Sequence, residues 1–341
     1  MDRLVTPFCA RVGIAVPIVQ APMGRIAGPT LAAAVCAAGG LGMLGLSWSD
    51  PEEIRSQISR LRQLTPAPFG VNFVLAWPQQ DRIAAACEAG VGIVSTFWGD
   101  PAPYVDLIHG AGALHIHTVG SAEEARRSVE AGVDVLIAQG WEAGGHVWGA
   151  VSSLVLIPAV VDAVAPVPVL AAGGIADGRG LAAALALGAD GAVVGTRFLL
   201  AAEAAIPLEY RRSLLAATET DTVLGAIFDG GWPDAKHRVI RNSTVSAWEE
   251  AGRPVGDRRP GFGEVVAHSP GGDPILRYDD TDVITGVTGA VEALPFYGGQ
   301  GAALVHEIAP AATIIQTMAN LARSALNGNP RFSPARPANQ S

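Results

Sequence analysis

Eight short apolar runs, each followed by a stretch of helical character, restrict the fold of this 341-residue chain more than any other feature. They lie at 18–20, 41–46, 70–75, 92–97, 114–119, 133–138, 168–172 and 191–195, and most are rich in Val, Ile, Leu and Ala with little polar alternation. Such runs suit strands of a parallel sheet covered on both faces, because a half-exposed strand alternates apolar and polar residues. The composition agrees: 49% of the residues are hydrophobic and only 16% charged, so there is apolar surface enough for one large core.

Helix starts punctuate the runs. Asp50-Pro51-Glu52-Glu53 places a capping side chain, a proline suited to the first turn and an acid at the third position, and Ser121 with Glu124 repeats the pattern. Eight right-handed βα units close into a (β/α)8 TIM barrel. The alternative is a doubly wound open sheet, but its first turn carries a glycine fingerprint, and here that turn reads Ala21-Pro22-Met23-Gly24. The expected organisation is a barrel core over 1–205, a C-terminal extension over 206–300 that starts helical and turns Gly-, Pro- and charge-rich over 225–272, helices over 301–327 that pack on the barrel, and a loose tail over 328–341.

Several function classes are disfavoured at once. The net charge is −9 and no Lys/Arg-rich run is present, so nucleic acid is not an expected partner. Lys236, the only lysine, falls beyond the strands, which argues against Schiff-base chemistry at a strand end. Cys9, Cys36 and Cys87 are scattered without histidines at ligand spacing, so no metal site is expected and a reducing cytoplasm fits. No export signal is read at the N-terminus. The uncharged stretch 26–48 is divided by Pro29 and by Gly39, Gly40, Gly42 and Gly45, and reads as an Ala-rich helix, a turn and a short buried strand, not as a membrane span.

In a barrel of this kind the chemistry sits just after the strands. Gly173-Gly174 and Gly195-Thr196 follow the seventh and eighth strands, where backbone N–H groups can cradle a phosphate; the bland reading is a tight turn. The loop after the sixth strand, Gln139-Gly140-Trp141-Glu142-Ala143-Gly144-Gly145-His146, has the glycine content of a binding loop. His146 at its end is the candidate general base. Glu142 is read as orienting that loop or capping the next helix, and His109, His237, His268 and His306 as structural. His115 and His117 share one face of the fifth strand, and alternation does not say whether that face is the interior, where His117 would touch a cofactor. Trp77, Trp98, Trp141 and Trp148, all close behind strands, would gather aromatic surface at one end and line an apolar pocket.

The stretches PIVQAPMGRIAGPTLAAAVCAAGGLGMLG (17–45), PFGVNFVL (68–75), AQGWEAGGH (138–146), LAAGGIADGRGLAAALALGADGAVVGTRFL (170–199) and FYGGQGAAL (296–304) resemble the nitronate monooxygenases, formerly called 2-nitropropane dioxygenases. FMN-dependent enoyl-acyl carrier protein reductases and certain NADH:quinone reductases share much of the pattern. The resemblance implies FMN as cofactor, with Pro22, Met23 and Asn72 lining the isoalloxazine and Gln139, Gly144 and Gly145 beside it. It places Gly173, Gly174, Gly195 and Thr196 at the phosphate and makes His146 the catalytic base. The implied reaction is oxidation of an alkyl nitronate, or its parent nitroalkane, with dioxygen to a carbonyl compound and nitrite. An NAD(P)H-dependent reductase is the competing enzyme reading, and a non-catalytic flavin-binding protein the third. No membrane partner is expected, and a homo-oligomer is left open.

Overall fold

The computed structural model describes residues 4–328; the tail expected to be loose lies, but for its first residue, outside them. Eight parallel strands form one sheet: β1 (Ile18–Gln20), β2 (Gly42–Gly45), β3 (Phe69–Val74), β4 (Ile93–Phe97), β5 (Leu114–Val119), β6 (Val135–Gln139), β7 (Val169–Ala172) and β8 (Gly191–Val194). Each pairs with its sequence neighbour from β2 to β8, and β8 pairs with β1 through Ile18–Ala192 to Gln20–Val194. The seam between β1 and β2 is held by a single parallel bridge, Val19 to Leu41. Closure of that seam distinguishes the barrel from an open sheet.

Gln20 compensates for the short seam. Its buried side chain works as a piece of extra ladder: Nε2 donates to the Met43 carbonyl (3.2 Å), and Oε1 accepts from the Met43 N–H (3.2 Å). The barrel interior is filled by inward-pointing residues such as Met43, Ile93, Ile116, Val135, Leu170 and Val193, and Phe8 and Val12 of the N-terminal helix Pro7–Val12 join the same cluster. The outer helices start where the side chains allow: Asp50 accepts from the Glu53 N–H (2.9 Å) ahead of Pro51–Leu64, and Ser121 from the Glu124 N–H (3.2 Å) ahead of Ala122–Glu130. Each cap satisfies a peptide donor that has no partner within its own helix.

Beyond the last barrel strand the chain forms helix Leu208–Ala216, helix Ser243–Glu250 and two small three-stranded sheets. One of these sheets reaches back into the barrel. Strand His237–Ile240 pairs on one side with Thr222–Gly225 and on the other with the two residues Gly145–His146 from the loop after β6. The last helix, Ala311–Leu326, buries Ile314, Ile315, Met318 and Ala322 at helical spacing. It packs against helix Gly178–Ala186, where a Cβ on Gly178 would overlap the Met318 carbonyl. No helix among the described residues is long and apolar enough to cross a membrane.

Candidate active site

One cavity occupies the C-terminal mouth of the barrel. Pro22, Met23 and Asn72 line it from strands β1 and β3, and Gln139, Gly144, Gly145 and His146 from the loop after β6. Gly173, Gly174, Gly195 and Thr196 close the side below β7 and β8.

His117 is the exception, and the expectation of a cofactor contact there is corrected. Side chains alternate along β5; Ile116 belongs to the barrel interior and Thr118 lines the cavity, so His115 and His117 point outward to the helix layer. Each ring bonds the Thr96 hydroxyl at 2.8 Å. Burial pushes His115 down to about 4 and His117 to about 3, so both are neutral structural groups.

The glycines have steric reasons. Gly173 and Gly174 sit consecutively at φ +101° and +69°, and a Cβ on Gly173 would lie 2.9 Å from the Gly140 carbonyl oxygen. The peptide N–H groups of Gly174, Ile175 and Gly195 find no acceptor among the described residues and border the cavity. Half-buried donors left open in this way form a site for a polyanionic oxygen cluster. Gly144 is pressed on the segment 298–299, where any side chain would overlap the Gly299 nitrogen; Gly299 N–H donates to Thr196 Oγ1 (3.0 Å) and Gln300 N–H to the Glu142 carbonyl (3.1 Å). The FYGGQGAAL segment therefore clamps two site loops together.

His146 is held from several sides. Its ring stacks on Trp232, centroids 4.2 Å apart at 24°, with Trp98 edge-on at 6.0 Å, and Gln139 Nε2 donates to its carbonyl (3.1 Å). Burial, followed by the neighbouring His237, pushes it down to about 3, so its ring is neutral and able to accept a proton. His237 beneath it has both nitrogens committed: Phe228 N–H donates to Nε2 (3.1 Å), which leaves Nδ1–H to donate to the Ala235 carbonyl (2.9 Å). The carboxylate facing His146 is Asp280, whose Oδ2 lies 3.5 Å from Nε2; burial raises Asp280 to about 6 although the Tyr297 hydroxyl donates to it. Asp282 accepts from the Arg25 N–H (2.9 Å) and fills the space a Gly24 side chain would need.

The tryptophans divide. Trp77, Trp98 and Trp148 form an edge-to-face chain with Trp48 and Trp232, and of these Trp48 and Trp232 reach the cavity wall. Trp141 turns away and lies beneath the Arg238 guanidinium at 5.5 Å. Glu142 caps the next helix, accepting from the Ser153 N–H (3.1 Å). Trp232, Asp280, Asp282 and Tyr210 escaped sequence reasoning because they lie in the extension, far along the chain and in no strand-end position; Tyr297 at least stood inside the FYGGQGAAL stretch.

The nitronate monooxygenase family model matches residues 6–87 and 73–320 of this chain. A (3aS,4S,5R,7aS)-5-hydroxy-7a-methyl-1-oxo-octahydro-1H-indene-4-carboxyl-CoA dehydrogenase of Mycobacterium tuberculosis is 39% identical over 257 residues, covering 74% of this chain and 71% of that protein. A nitronate monooxygenase of Paraburkholderia phytofirmans is 35% identical over 265 residues, 64% of this chain and 72% of its own. Among solved structures, FabK from Thermotoga maritima superposes with a TM-score of 0.79 at 33% identity, covering 95% and 97% of the two chains. The nitroalkane oxidase from Streptomyces ansochromogenes gives 0.74 at 30%, covering 92% and 98%. With the family model spanning nearly the whole barrel and extension, the chain belongs to the nitronate monooxygenase family and is an oxidoreductase.

Proposed function

We propose that the protein is an FMN-dependent enzyme that oxidises alkyl nitronates, and the nitroalkanes that form them, with dioxygen to carbonyl compounds and nitrite. The observation that carries this reading is His146, only 14% exposed and stacked on Trp232, lining a cavity that also holds a glycine cradle of unpaired N–H groups. The cradle fits FMN: Gly173 permits the left-handed turn that shapes it, a Cβ there meeting the Gly140 backbone, and the open donors of Gly174, Ile175 and Gly195 suit a terminal phosphate. Pro22, Met23, Asn72 and Gly144 would flank the ring system, and Gln139 and Gly145 shape the loop beside it.

Bound there, FMN supplies an electron acceptor that dioxygen reoxidises. The chain's own part is proton handling and exclusion of water. His146 accepts the proton next to the nitro group of a neutral nitroalkane, while Trp232 and Trp98 cover its ring and keep bulk water from the developing carbanion.

A second reading, dehydrogenation of a carbonyl or thioester substrate, draws on the 39% identity to a carboxyl-CoA dehydrogenase and on Trp48 and Trp232, which offer apolar wall for a larger body. Both readings need the same base. Anaerobic mixing of the FMN-loaded protein with ethyl nitronate, NADH or an acyl-CoA, followed by flavin absorbance, separates them. Bleaching by the nitronate and not by NADH is the expected result; rapid bleaching by NADH alone would transfer the assignment to a reductase.

A further inference from the structure

We propose that Asp280 is a positioning residue that fixes the Nε2–H tautomer of His146 and leaves Nδ1 as the basic atom, an inference that rests on His146 acting as the base. Of the ring's two nitrogens, Nε2 is buried with no hydrogen-bond partner. Nδ1 likewise makes no hydrogen bond, but it is not enclosed, which leaves it as the nitrogen open to the cavity. The proton on a neutral imidazole goes where an acceptor waits.

The neighbours of the ring decide which acceptor that is. Trp232 and Trp98 present ring faces and edges, and His237 uses both its nitrogens elsewhere. The Tyr297 hydroxyl donates to Asp280 Oδ1, which leaves Oδ2 of the same carboxylate 3.5 Å from His146 Nε2. Each side chain is only 14% exposed, so no bulk water competes for that gap. A shift of a few tenths of an ångström closes a hydrogen bond, and catalytic hydrogen bonds are commonly long until substrate is bound.

Tyr297 is fixed in turn: the Tyr210 hydroxyl donates to its carbonyl at 2.5 Å, and Tyr210 stacks on Phe296 with ring centroids 4.3 Å apart. The relay therefore runs from the extension to the barrel loop: Tyr297 orients Asp280, and Asp280 orients His146. When Nδ1 takes a proton from the substrate carbon, the imidazolium that results faces a carboxylate already in place. The proton stays on His146 and the electron pair of the C–H bond stays with the substrate, so the step balances without another reactant.

The experiment uses FMN-loaded protein labelled with ¹⁵N-histidine, and long-range ¹H–¹⁵N spectra at pH 7.5 read the tautomer. His146 is expected to show a protonated Nε2 and a bare Nδ1, with the two forms mixed in Asp280→Leu; a protonated Nδ1 in the unsubstituted protein would overturn the proposal. In kinetics, Asp280→Asn, which keeps the side-chain volume, is expected to lower kcat for nitroethane by roughly 10- to 100-fold with little change in KM, and to lower turnover of preformed ethyl nitronate by a clearly smaller factor. Equal losses on both substrates count against the positioning role. If the unsubstituted protein oxidises neither substrate, the assigned reaction fails while the tautomer spectra still judge Asp280.

Discussion

Lowering the pH from 7.5 to 5 should cost this protein most of its stability, because four of its seven histidines are held neutral by burial. His115 and His237 are pushed down to about 4, and His117 and His146 to about 3. A folded-state pKa below the unfolded one means that the unfolded chain takes up protons first. The stability contributed by these groups is complete above about pH 6.5 and is lost as the pH falls from there toward 4. At pH 5 each unfolded ring gains about 2 kcal/mol from protonation that the folded ring forgoes, about 8 kcal/mol for the four. Asp280, raised to about 6, works the other way and returns about 1 kcal/mol; Asp190 and Asp282, also raised by burial, act in its direction. A net loss of about 5 kcal/mol or more is comparable with the whole stability of an ordinary domain, about 5–15 kcal/mol. Urea unfolding at steps between pH 7.5 and 5 measures it directly, and His117→Gln should recover about 2 kcal/mol of the loss. A fall of less than about 2 kcal/mol across that range would refute the reasoning, since it would mean the rings are hydrated or protonated in the folded state.

Three further outcomes are expected. His146→Ala should keep FMN, measured by its fluorescence after heat release, yet slow turnover of neutral nitroalkanes by roughly 10²–10⁴ and of nitronates by much less; equal slowing of both would return the residue to a shaping role. Gly173→Ala should lose FMN on gel filtration while the apoprotein's circular dichroism is retained, because φ +101° and the Gly140 carbonyl leave no room for a methyl group at the cradle; normal retention would remove the cradle assignment. Gln20→Leu strips the β1–β2 seam of its side-chain bonds to Met43 and leaves peptide groups unpaired in a buried place, so unfolding free energy should drop by about 1–3 kcal/mol; an unchanged denaturation midpoint would show that the single Val19–Leu41 bridge suffices.

The barrel was legible in the linear pattern because its strands are local objects. A strand covered on both faces must be apolar along its length, a helix must announce its capped start, and glycine must stand wherever a left-handed turn or a close backbone approach occurs; each of these is written within a few residues. Hence the eight strands and the glycines at 173–174 could be found from runs and turns, and the position of His146 from the end of β6. Which way a strand faces is a different matter. His115 and His117 could point in or out with the same spacing, and only closure of the sheet, with Ile116 in the interior, turned them outward.

The surroundings of His146 belong to tertiary structure altogether. Trp232, His237, Asp280 and Tyr297 lie 86 to 151 positions further along the chain, all within the extension expected over 206–300 and none at a strand end of the barrel. Nothing local marks Asp280 as different from Asp279 beside it. What sets it apart is the pairing of strand His237–Ile240 with Gly145–His146, which draws the extension over the barrel mouth and buries one carboxylate against one imidazole. Periodicity records how a segment meets its own solvent and core; charge, proton position and substrate wall arise where segments distant in sequence exclude water from each other, and that contact is decided by the folded chain.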